Sequence, residues 1–189
     1  MEKKTTLTTK KIVLAALMAA LTVAGSAIRI VLPVSVGGTT AFHLGNILCA
    51  LSGILLGPWL GGFAAGLGSA IFDMLNPFYI SECWITFLTK GCYALAVGLV
   101  IRCGRGQWSY AKATLATLAG AVTYAALYLV KSYGYNGLFL QGLTHEGAML
   151  GVIGKLPATA FNAAVAVIFA PVLAVAVRKA LEKNHLTLD

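Results

Sequence analysis

The residues of this chain that could do chemistry are few, and they recur at helical spacing. Tyr124, Tyr128 and Lys131 stand at i, i+4 and i+7, positions that share one face of an α-helix. Glu82, Thr86, Lys90 and Tyr93 follow the same rule, as do Lys155, Thr159 and Asn162. Arg29, His43, Asn46, Asp73, Trp84, His145 and Glu146 complete the candidate substrate-binding set. Nearly all lie in or beside long apolar runs, where an ionisable side chain is costly unless it pairs or faces water. Two chemistries suit polar faces that meet at similar depth. In one, the charges pair as buried glue and the tyrosines form an interfacial belt. In the other, which we favour, the faces enclose a pocket open to one side. Arg29, Lys90, Lys131 and Lys155 against Asp73, Glu82 and Glu146 leave such a pocket close to neutral. Its aromatic rings suit a small, flat, polar ligand.

Other chemistries find no support. No Ser, His and acid set or H-E-x-x-H motif occurs, Thr144-His145-Glu146 being the nearest approach, so no catalytic residue is assigned. His43 has no second ligand at metal spacing on its helix, so no metal site is expected. Cys49, Cys83, Cys92 and Cys103 form no C-x-x-C pair and read as small buried hydrophobes. There is no G-x-x-x-x-G-K-[ST] phosphate loop, so any ATP must be used by another chain, and no cofactor is expected. A lone secondary carrier would show related halves, and residues 1–95 and 96–189 show none.

The elements that position these residues follow from composition. Of 189 residues 59% are hydrophobic and 11% charged, with mean hydropathy +0.85. A soluble domain is roughly a quarter charged, so this is a membrane protein. The apolar runs are continuous and rich in Leu, Ala and Gly, unlike the alternating segments of about ten residues in an outer-membrane barrel. The reading is all-α: a six-helix transmembrane bundle with spans near 11–32, 42–56, 60–75, 83–101, 111–130 and 149–177. The second and third are short and joined by Gly57-Pro58-Trp59, a tight hairpin. One membrane domain, 11–179, then lies between cytoplasmic tails 1–10 and 180–189. The first apolar stretch exceeds the 7–15 residues of a signal core, so Ala24-Gly25-Ser26-Ala27 is read as part of a span rather than as a cleavage site.

Charge sets the orientation. Lys3, Lys4, Lys10, Lys11, Arg102, Arg105, Lys112, Arg178, Lys179 and Lys183 all fall on one side of six spans. The positive-inside rule makes that side cytoplasmic, with both termini. The net charge of +8 therefore reports topology, and nucleic acid is not an expected partner. The outer side carries segments 33–41, 76–82 and 132–148, the last long enough to be a lid or binding loop.

Small residues form two seams. Ala15, Ala16, Ala19 and Ala20 line the first span, and Gly57, Gly61, Gly62, Gly66, Gly68 and Ser69 run through the hairpin and third span. Such faces allow close helix approach, within the chain or with another membrane protein.

Four stretches carry a resemblance: Phe42-His43-Leu44-Gly45-Asn46, Leu55-Leu56-Gly57-Pro58-Trp59-Leu60-Gly61-Gly62, Gly66-Leu67-Gly68-Ser69-Ala70-Ile71-Phe72-Asp73 and Thr86-Phe87-Leu88-Thr89-Lys90-Gly91. In combination they resemble the substrate-binding S components of energy-coupling factor (ECF) transporters, nearest the branch of riboflavin-type and related vitamin carriers. The likeness is strong over about residues 10–105, and beyond them rests on span count and loop layout. It implies six helices in a bacterial plasma membrane, a vitamin-like ligand near the outer face, and dependence on a transmembrane coupling subunit with two ATPases. It places the docking of that subunit on Ala15, Ala16, Ala19 and Ala20. It leaves the vitamin open; pyridoxine or hydroxymethylpyrimidine-type heterocycles are the first expectation, riboflavin or a queuosine precursor the next. The competing classes are an intramembrane enzyme using Asp73, Glu82 or Glu146, and a structural scaffold built on the glycine seams.

Overall fold

The structure, a computed structural model, describes residues 9–33, 39–103 and 108–184. Six helices form the bundle: α1 (Thr9–Ala27), α2 (Gly45–Leu56), α3 (Pro58–Met74), α4 (Cys83–Arg102), α5 (Tyr110–Lys131) and α6 (His145–Lys183). Four stretches, α1, α4, α5 and α6 with their short extensions, are long and apolar enough to cross a membrane. The twelve-residue α2 and seventeen-residue α3 are shorter. α6 extends through Lys183, so residues 180–183 of the expected C-terminal tail are helical; residues 1–8 and 185–189 lie outside the described residues.

The all-α expectation needs one correction. Arg29–Pro33 (β1) and Thr39–His43 (β2) pair antiparallel, with Arg29 opposite His43 and Pro33 opposite Thr39. α1 therefore ends at Ala27, before the predicted limit of its span at Leu32. An apolar run such as Ile30-Val31-Leu32 suits a strand as well as a membrane helix, and its β-branched residues favour the strand. A second correction concerns 132–148. Ser132–Leu140 continues α5 as a π-helical segment, and α6 begins by His145, so little of this stretch is irregular.

Packing is inverted relative to a soluble protein. The core is built from small residues, Ala50, Ala65, Ala94, Ala116 and Ala170 among them, around the larger Tyr93, Val97 and Ile54. Phe63, Leu115, Val122, Ile168 and Phe169 point outward, as a lipid-facing surface requires. Close backbone approach depends on glycine where a Cβ has no room. One at Gly68 would lie 2.3 Å from the Ala19 carbonyl oxygen and 2.8 Å from Thr22 Cβ, which fixes α3 against α1. Gly57 turns α2 into α3 at φ 81, a left-handed conformation that costs glycine little, and Pro58 opens α3.

Both Ala15 and Ala19 are buried inside this seam, whereas Ala16 and Ala20 are exposed. The alanines expected to form one docking face are thus divided between two sides of α1.

Candidate ligand-binding site

The ends of α1, α3 and α5 converge with the starts of α2, α4 and α6 at the end of the bundle away from the termini. There they surround a cavity of about 300 Å³, roofed by the β1–β2 hairpin and the 76–82 connection. Four helices contribute residues one or two turns apart, Ser69, Phe72 and Asp73 from α3, Thr86, Thr89 and Lys90 from α4, Tyr124, Tyr128 and Lys131 from α5, and Lys155, Thr159 and Asn162 from α6, while α1 adds Ser26. The roof adds Thr39, Thr40, Ala41, His43, Phe78 and Tyr79, with a 3.1 Å hydrogen bond between the Thr39 and Tyr79 hydroxyls closing hairpin to connection.

Much of the polar lining already has partners. Glu82 uses both oxygens, one 2.5 Å from Lys131 Nζ and the other accepting from Asn136 Nδ2 at 2.8 Å. This fork ties the start of α4 to the end of α5 and to the π-helical segment. The Lys131 ammonium also donates to Thr86 Oγ1 at 3.4 Å. Deeper, Lys90 donates to Asn46 Oδ1 and lies 4.0 Å from the centre of the Tyr124 ring. Tyr93, Tyr124 and Tyr128 form a stacked column with successive centroids 5.7 Å apart. Tyr128, at the cavity end, keeps ring surface for a ligand, whereas the Tyr124 ring is already engaged by three neighbours.

Two cations differ from these. Among the described residues, Lys155 and Arg29 have no carboxylate at ion-pair distance. The Arg29 guanidinium lies 4.9 Å from the Phe72 ring centre and 4.8 Å from that of Tyr79, while its buried Nε and Nη1 have no hydrogen-bond partner. Lys155 is 2% exposed.

Residues 6–179 match the family described as ECF-type riboflavin transporter, S component. The chain belongs to that family. Its members are substrate-binding subunits of vitamin-type transporters, working with a transmembrane coupling subunit and ATPases, and are not enzymes. A relative from Pyrococcus woesei, described as "Uncharacterized protein in gap 3'region", is 32% identical over 118 residues, covering 62% of this chain and 74% of the relative.

In this S component Arg29, His43, Asp73, Glu82, Lys90, Tyr124, Tyr128, Lys131, Lys155 and Asn162 all line the cavity. Asn46 lies behind it as the partner of Lys90. Trp84, His145 and Glu146 are away from the lining. Trp84 packs edge-on against Tyr135 at 5.6 Å on an exposed surface. His145 Nδ1 is 2.5 Å from the Tyr133 hydroxyl, and Glu146 is exposed in the first turn of α6, where a carboxylate complements the helix dipole. Without Glu146 the cavity is no longer close to neutral: four cations face Asp73 and Glu82. Sequence reasoning missed Thr39, Phe78, Tyr79 and Gln141, whose connecting segments carry no helical period.

Asn162 is more constrained than its place in a polar stripe suggests. Its Oδ1 accepts from the His43 backbone N–H at 3.0 Å, and its Nδ2 donates to the Ala41 carbonyl at 2.8 Å. It splints β2 to α6 as a backbone neighbour would. Asn162→Leu should remove both bonds, at about 1 kcal/mol each. The expected result is about tenfold or faster hydrogen exchange at the His43 amide, with α6 amides unchanged; unchanged His43 exchange would exclude this fastening role.

Proposed function

We propose that this S component captures a compact, single-ring vitamin or vitamin precursor, of the pyridoxine or hydroxymethylpyrimidine type, from outside the plasma membrane and passes it to an ATP-driven module. The observation carrying this reading is the polar cavity at one end of an otherwise apolar bundle. Its volume of about 300 Å³ is at the lower end of the range of roughly 300–1,000 Å³ for ligand sites. A single-ring heterocycle fits within that volume. Tyr128 would stack on the ring, with Thr86, Thr89 and Thr159 hydroxyls setting its orientation.

Orientation rests on the basic residues at the other end, including Arg102, Lys112, Arg178 and Lys179. In a background with Cys83, Cys92 and Cys103 replaced by serine, Phe139→Cys should react with an impermeant maleimide on intact cells and Lys179→Cys only after lysis. The reverse pattern would put the cavity on the cytoplasmic side. Function itself is tested by mass spectrometry of small molecules released from detergent-purified protein. A heterocyclic vitamin or precursor is expected, and cells carrying the protein with its coupling module should accumulate it. Turnover of that compound by the isolated chain would favour the enzyme reading instead.

A further inference from the structure

Resting on the uptake reading, we infer that the cavity takes its ligand as an anion: a single-ring heterocycle bearing a carboxylate or phosphate, held by Lys155 and Arg29. The Lys131 and Glu82 charges satisfy each other at 2.5 Å. What remains is Arg29, Lys90 and Lys155 against Asp73 alone.

Lys90 is held by Asn46 and the Tyr124 ring, whereas Arg29 has two buried nitrogens without a hydrogen-bond partner and Lys155, among the described residues, has no carboxylate at ion-pair distance. Lys155 is ten residues into α6, about 15 Å along the helix axis from its first residue, and 2% exposed. A buried ammonium without a carboxylate in direct contact is unfavourable, and the cavity is where one can be supplied. Arg29 has its Cζ 4.9 Å from the Phe72 ring centre and 4.8 Å from that of Tyr79, and its Nε and Nη1 without a hydrogen-bond partner, so the guanidinium retains donors for a carboxylate or phosphate. A neutral ligand would leave both charges as they are.

The test uses matched pairs that differ only in the charged group: nicotinate against nicotinamide, pyridoxal 5′-phosphate against pyridoxal, and hydroxymethylpyrimidine phosphate against hydroxymethylpyrimidine. Binding is measured by calorimetry on the full chain in dodecyl maltoside, which carries no phosphate. The anionic member of at least one pair should bind about tenfold or more tightly than its neutral partner. Lys155→Gln and Arg29→Gln should each remove most of that preference, and melting temperatures close to the parent's show that the variants are folded.

Equal or tighter binding of the neutral members overturns the anion assignment and leaves the uptake reading standing. If all six compounds fail, the charge of the molecule released from the purified protein decides: an anion upholds the assignment, a neutral molecule overturns it, and release of nothing overturns the uptake reading as well. Stabilisation by dioleoylphosphatidylglycerol that Lys155→Gln abolishes, without a response to any soluble anion, would assign the site to a lipid headgroup and overturn the soluble ligand.

Discussion

Glu82→Ala is expected to destabilise the protein by about 3 kcal/mol, because removing one member of a buried ion pair strands the other. The Lys131 side chain is 6% exposed and that of Glu82 15%, so water compensates little. Asn136 loses its acceptor at the same time, and with it the π-helical segment loses its bond to the start of α4. The measurable outcome is a melting temperature lower by several degrees and loss of ligand binding. The double variant Glu82→Gln, Lys131→Met should recover most of the stability, since no unpaired charge is left. A single variant as stable as the parent would show that the pair is open to water and that the cavity wall does not depend on it.

The second large effect divides the α1 alanines. Ala19 is 6% exposed, and its carbonyl is the atom a Cβ at Gly68 would strike. Ala19→Trp therefore drives an indole into the α1–α3 contact, and overpacking of this kind should cost about 3 kcal/mol. Ala16 and Ala20 face outward, so Ala16→Trp or Ala20→Trp should keep the melting temperature and ligand affinity of the parent. If the coupling subunit docks on that outer face, these variants should lose cellular uptake and co-purification with the ATPases. Retained uptake with the complex intact would place the partner surface elsewhere; a parent-like melting temperature for Ala19→Trp would show that the seam yields.

The helices and most of the cavity were legible because both depend on periodicity. Residues at i, i+4 and i+7 on α5 and α6 must share a face whatever the tertiary structure, and the cost of charge in lipid turns that face inward. The hairpin was hidden because Ile30-Val31-Leu32 is as apolar as a helix end; the clues were its β-branched pair and Pro33. The roof residues Phe78 and Tyr79 were hidden for the opposite reason, lying where no period applies. Glu146 was misplaced because its sequence neighbours are polar, yet it is at the solvent-facing start of α6 rather than beneath the roof. Asn162 was found, but which of its atoms were free could be known only from the strand beside it.

The brevity of α2 has a consequence for transport. Twelve residues rise about 18 Å, whereas the hydrocarbon layer is about 30 Å thick. With the exposed Trp59 marking the interface at the α2–α3 turn, α2 stops roughly 12 Å short of the opposite boundary. The β1–β2 hairpin leads into α2 at that end, and its residues line the cavity. The longer α4, α5 and α6, with α3, form the walls of the site. On the outward orientation proposed above, a ligand seated there already lies within the span of the longer helices before any ATP is hydrolysed, so capture would begin its passage.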